Sequence, residues 1–248
     1  MVDPLILLAV ILAFLTAGCV KGVIGMGLPM VSLALLVATV GLKSAMALLL
    51  VPTIVTNIWQ ALVGGHFWII FKRLWLFFVA SMLAVWPGVM VLARVDARWL
   101  SLLLGLLIIF YAVVNLRSRP LLLPVTHEGS VGFVCGVGNG LITGMTGSSV
   151  FPGVAYLQSI GLTRDQLIQA MGILFTLSIV ALGVAMGGQR LLSLELMALS
   201  SAALLPAILG MHLGQRLRRR LSEKAFRRVF FVGLLVMGCY LVARSLLK

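Results

Sequence analysis

Acidic side chains are nearly missing from this sequence. The six that occur among 248 residues (Asp3, Asp96, Glu128, Asp165, Glu195 and Glu223) stand at the N-terminus or in short polar connectors, and none falls inside an apolar run. Carriers of protons or metal cations commonly place a carboxylate inside the membrane, so this pattern argues against a cationic substrate. Histidine is as sparse: His66 and His212 lie near the ends of apolar runs and His127 in a polar stretch, which leaves no contiguous proton relay. The three cysteines, Cys19, Cys135 and Cys239, sit in apolar surroundings at spacings that fit neither a disulfide framework nor a zinc site. No metal or other cofactor is expected. The stretch after Met1 has neither a basic leader nor a small-residue cleavage site, so the first apolar run reads as a retained span.

Charge as a whole is scarce. Only 10% of residues are charged and 62% are hydrophobic, whereas a soluble domain carries about 25% charged residues. The chain reads as an integral membrane protein, with the lipid bilayer as its solvent. Its net charge of +13 comes from short connectors between apolar runs, with no basic face on a soluble domain. Such charge suits anionic headgroups and orientation in the membrane, and argues against nucleic acid.

What the sequence has in abundance is glycine, concentrated in two places. From Gly18 to Pro29, a glycine-studded stretch separates the apolar runs Leu5 to Val20 and Met30 to Val40. From Cys135 to Gly153 a second such stretch opens the other half. Glycine and proline release backbone groups that lipid cannot satisfy, so both stretches read as helix breaks covered by protein or a wet cavity.

The rest of the chain follows the same duplication. Gly41-Leu42 is matched by Gly161-Leu162, Gly64-Gly65 by Gly187-Gly188, and Pro87 by Pro206, in one order and about 120 residues apart. The expected fold is an all-α polytopic membrane protein of two repeated halves. Residues 1–116 and 131–248 form the halves and 117–130 the linker, with about 8–10 membrane segments that include two broken helix regions. Five crossings per half would put 12 basic residues on one face and 6 on the other, which favours inverted halves over parallel ones. Paired interrupted segments of this kind point to a substrate site in a transporter.

Both breaks offer positive potential without a carboxylate. Helix N-termini present unpaired N–H groups, Thr143, Thr146, Ser148 and Ser149 offer hydroxyls, and Lys21 offers an ammonium. Gly22, Gly25, Gly27 and Gly144 would let main-chain amides approach a ligand. Asn57 and Thr176, in the spans that follow the breaks, join as second-rank binding residues. Blander roles are open as well: Lys21 could snorkel to an interface, and the other polar groups could bond neighbouring helices. Gly136-Val-Gly138-Asn-Gly140 lacks the spacing and βαβ context of a dinucleotide loop, and Gly147-Ser-Ser149 lacks the glycine of a nucleophile elbow. No enzymatic activity is expected.

The sequence resembles the TauE/SafE family of sulfite exporters. The likeness rests on Gly22 to Pro29 after a first apolar run, on Gly144 to Gly147 with Phe151-Pro152, and on the Gly-Leu connector after each, and it covers nearly the whole chain. It departs at Leu28, where the first motif often has a third consecutive glycine. The resemblance implies a multi-pass permease of the bacterial inner membrane. Its substrate would be a small sulfur-containing anion such as sulfite, thiosulfate, sulfoacetate or a related organosulfonate, moved by alternating access. The alternative is a non-transporting membrane subunit of a larger complex. Proton or sodium coupling, a homodimeric state and a part for Cys19 and Cys135 stay open.

Overall fold

A chain in lipid must pair its own backbone polar groups, and here it does so with helices. The computed structural model describes residues 3–116, 127–218 and 222–247, so most of the expected linker at 117–130 lies outside the described residues. Among the described residues there are eleven helices and no strand: α1 (Pro4–Ile24), α2 (Leu28–Val40), α3 (Leu42–Leu48), α4 (Leu50–Leu62), α5 (Phe67–Arg94), α6 (Ala97–Leu116), α7 (Glu128–Thr146), α8 (Gly153–Ser159), α9 (Arg164–Gly188), α10 (Leu194–Arg218) and α11 (Glu223–Leu247). Six of them, α1, α5, α6, α9, α10 and α11, are long and apolar enough to cross a membrane. The bent pair α3 and α4 adds a seventh if taken as one span. The chain is an all-α polytopic membrane protein.

The chain divides into two compact units, and each draws on both sequence halves. Unit one comprises Met1–Pro52, Val95–Ser118 and Leu192–Lys248; unit two comprises Thr53–Arg94 and Arg119–Leu191. In unit one α1 lies along α10, and α6 along α11. In unit two α7 lies along α5, while α9 packs on α5 as well. The first helix of either half thus packs against the long proline-bearing helix of the other.

Glycine makes these pairings close. A Cβ on Gly18 or Gly22 would strike the backbone of α10 at Ala207 or Met211, and one on Gly210 or Gly214 would strike α1 at Leu15 or Cys19. Unit two repeats the device, with Gly136, Gly140 and Gly144 set against Phe77, Ser81 and Val85 of α5. Small residues that let helix backbones touch are the usual adhesive in lipid, where there is no hydrophobic drive between helices. This corrects the expectation that both glycine-rich stretches are unwound along their length. α1 runs on through Gly18 and Gly22, and α7 through Gly136, Gly140 and Gly144. The breaks themselves are short: Gly25 to Gly27, and Gly147 to Pro152. The packing also pairs Ser81 with Ala207 as the residues facing Gly140 and Gly18.

Pro52 shapes the remaining irregularity. It has no N–H to offer the carbonyl of Leu48, so α3 stops at Leu48 and α4 begins at Leu50, bent by 44°. Ser200 of α10 fills the gap: its hydroxyl donates to Leu48 O at 2.8 Å and accepts from Val51 N–H at 3.1 Å. The serine is fully buried, so both groups would otherwise be orphaned. In the second half no proline interrupts α9, which stays continuous from its Thr163–Gln166 capping box onward.

Candidate functional site

The first break lies wholly in unit one. α1 ends because Gly25 takes a left-handed conformation (φ 86°), its N–H returning to Lys21 O at 2.8 Å. α2 restarts at Leu28 with Pro29 in its first turn, where an N–H is dispensable. Between them, no hydrogen bond among the described residues uses the N–H of Met26 or Gly27. The break is walled by aromatic side chains from two helices. Tyr111 of α6 donates its hydroxyl to Met26 Sδ at 3.4 Å and stacks edge-on against Phe231 of α11, while the Phe230 ring lies against Gly27. The Arg227 guanidinium lies 5.9 Å from the Phe231 ring centre, bringing positive charge to this wall.

Lys21 sits one turn before the break and only 4% of it is exposed. Its place in the last turn of α1 lets the ammonium offset the negative pole of that helix. The same turn in the other half carries Thr143, whose carbonyl likewise receives the capping N–H, here from Gly147 (φ 76°) at 2.8 Å.

The second break lies wholly in unit two and is built from hydroxyls. The Thr143 hydroxyl sits 2.7 Å from Asn139 O and 2.9 Å from Ser149 Oγ. Thr146 donates to Ile142 O at 2.8 Å and accepts from Ser148 N–H at 3.3 Å. Asn139 ties the loop to the helices beneath: its amide donates to Ser81 Oγ at 2.8 Å, and its carbonyl accepts from Gly153 N–H at 3.2 Å. Ser178 of α9 completes the cluster, 3.4 Å from Ser81 Oγ. The Phe151–Pro152 peptide is cis. Among the described residues no hydrogen bond uses the N–H of Ser149 or Val150, although these residues are only 2% and 5% exposed. Buried N–H groups without a partner are rare and costly. Among the described residues no carboxylate is bonded to them, and no group of metal-ligating side chains forms. Such a place suits an oxyanion, which accepts hydrogen bonds and donates none.

The expected binding residues divide between the units. Lys21, Gly22, Gly25 and Gly27 belong to the first break, and Thr143, Gly144, Thr146, Ser148 and Ser149 to the second. Gly22 and Gly144 are helical and serve packing, so their amides are committed to their own helices. Thr176, on α9, donates to Gly172 O at 2.7 Å, and Asn57 is fully buried on α4. Sequence reading passed over Asn139 and Ser81, which fix the second loop, and Gln169. That glutamine donates to Ala61 O at 2.8 Å and accepts from His66 N–H at 2.9 Å. A single carboxamide in an otherwise apolar or glycine-rich run was the signal available for both Asn139 and Gln169.

Comparison with known proteins agrees with the membrane-carrier reading. The model of one protein family, described as sulfite exporter TauE/SafE, matches residues 10–241. No curated protein and no solved structure matches the chain.

Proposed function

The chain belongs to the sulfite exporter TauE/SafE family, a family of membrane exporters for sulfur anions, and on that premise we propose that it is a permease moving a small sulfur oxyanion by alternating access. The substrate class comprises sulfite, thiosulfate, sulfoacetate and related organosulfonates, and the setting is the bacterial inner membrane. The observation that carries the reading is the pair of N–H groups at either break, Met26 with Gly27 and Ser149 with Val150, that find no partner among the described residues. At each break, taken by itself, a sulfonate or sulfite oxygen would accept from the N–H pair, and in unit one Lys21 would compensate its charge. A lysine held near the bilayer centre costs about 3 kcal/mol on insertion scales, a cost that an anionic ligand offsets. The duplicated halves, 1–116 and 131–248, are proposed as inverted repeats, the arrangement that alternating access exploits.

Calorimetric titration of the purified protein with sulfite, thiosulfate, sulfoacetate and sulfate tests the substrate class. Binding of at least one of the four, weakened ten-fold or more by Lys21→Gln, is the expected result. Equal affinity in wild type and Lys21→Gln for every anion bound would remove Lys21 from the site. Absence of binding to all four would remove the substrate class.

A further inference from the structure

We propose that unit one carries a second oxyanion site, in a cavity of about 200 Å³ lined by Arg98, Ser101, Arg244 and Ser245 beside Gly41 and Leu42. Its ligand is a doubly or singly charged oxyanion, either a free inorganic anion or the phosphate of a lipid headgroup. The site lies at the far end of α2 from the first break, and the 13 residues of that helix put about 20 Å between the two.

Two cations line this cavity, and among the described residues neither forms an ion pair with a carboxylate. Arg98, in the first turn of α6, donates from Nε to Ser245 O at 2.5 Å and from Nη2 to Leu246 O at 3.2 Å, and its guanidinium stacks 5.6 Å from the Trp99 ring centre. Arg244, in the last turn of α11, donates from Nη1 to Ala38 O at the end of α2. These bonds hold both side chains rigidly while leaving other N–H groups of each five-donor fork uncommitted. Asp96, two residues before Arg98, spends Oδ1 on the Arg98 backbone N–H at 2.8 Å. Arg73 and Glu128, in unit two, do form an ion pair. Arg98 and Arg244 are both half-buried and Ser245 is 7% exposed, so water screens the two like charges poorly and an anion between them relieves the repulsion. The volume equals roughly seven waters at about 30 Å³ each, room for a tetrahedral anion with part of its hydration. Planar guanidinium forks are the side chains best matched to such oxygens.

The test uses delipidated protein in neutral detergent in a Lys21→Gln background, so that failure of the transport reading and failure of this one stay separate. Inorganic sulfate is titrated calorimetrically at low ionic strength. The Arg98→Gln/Arg244→Gln pair should weaken binding at least ten-fold. Ser101→Leu, which fills the cavity and leaves both guanidinium groups in place, should weaken it similarly without lowering the melting temperature. In a second arm, native mass spectrometry after exposure to phosphatidylglycerol or phosphatidylcholine vesicles identifies the source. Selective retention of phosphatidylglycerol, lost in the arginine double variant, assigns a lipid headgroup; sulfate binding without it assigns a free anion. If neither sulfate nor phosphatidylglycerol distinguishes the background protein from the double variant and Ser101→Leu, the site does not exist.

Discussion

Replacing Ser200 by alanine removes both hydrogen bonds that close the bend between α3 and α4. The carbonyl of Leu48 loses its donor because Pro52 cannot supply one, and the N–H of Val51 loses its acceptor. The side chain is fully buried, so water does not step in. An orphaned buried polar group costs about 1–3 kcal/mol in water-soluble proteins, while interhelical bonds in membranes average about 0.6 kcal/mol. Two such bonds together therefore give a cost of about 1–2 kcal/mol, read from reversible unfolding in mixed micelles of increasing sodium dodecyl sulfate fraction. Pro52→Ala provides the internal control. It restores an N–H that can reach Leu48 O, so Ser200→Ala should cost about half as much on that background, a coupling of about 0.5–1 kcal/mol. If Ser200→Ala unfolds within about 0.3 kcal/mol of wild type, or costs the same with and without Pro52, the reasoning about the repaired kink is wrong.

Four further perturbations bear on the packing, the second break and the Arg73–Glu128 contact. Gly140→Val should destabilise by about 3 kcal/mol or abolish folding, because its side chain would enter the α5 backbone at Ser81. Gly233→Ala, whose Cβ would meet nothing within 4 Å, should be neutral or stabilise α11 by up to about 1 kcal/mol; thermal unfolding separates the two. Asn139→Leu removes the bonds to Ser81 and Gly153 and should cost about 1–3 kcal/mol, with Cys135, one turn earlier on α7, becoming more reactive to maleimide. Arg73→Gln breaks the two-pronged contact with Glu128 (2.7 and 2.8 Å) and the bond to Ile160 O. Arg73 is 38% exposed, so the cost should stay near 1 kcal/mol and shrink as salt is raised.

How far the sequence could be read depended on whether a signal was local. The membrane class followed from composition, and Gly25, Gly27 and Gly147 followed from their nearness to proline and to the ends of apolar runs. Gly18, Gly22, Gly136, Gly140 and Gly144 misled, since an unwound turn and a close helix crossing both ask for a missing Cβ. Only the partner helix tells them apart, and that partner is distant in sequence. Asn139 carried a local signal, a lone carboxamide among glycines, but its partner Ser81, 58 positions away, did not show in the sequence. Ser200 gave no local sign of repairing the kink at Pro52, because its role exists only once α10 is beside α3.

The central claim is that the chain conducts sulfur oxyanions by itself. Its most direct test is the initial rate of radiolabelled sulfite uptake into sealed proteoliposomes that contain this protein alone and no ATP. The account predicts a saturable rate well above that of empty liposomes, lowered by Lys21→Gln. A rate equal to that of empty liposomes, across sulfite concentrations and in imposed proton and sodium gradients of either direction, would contradict it.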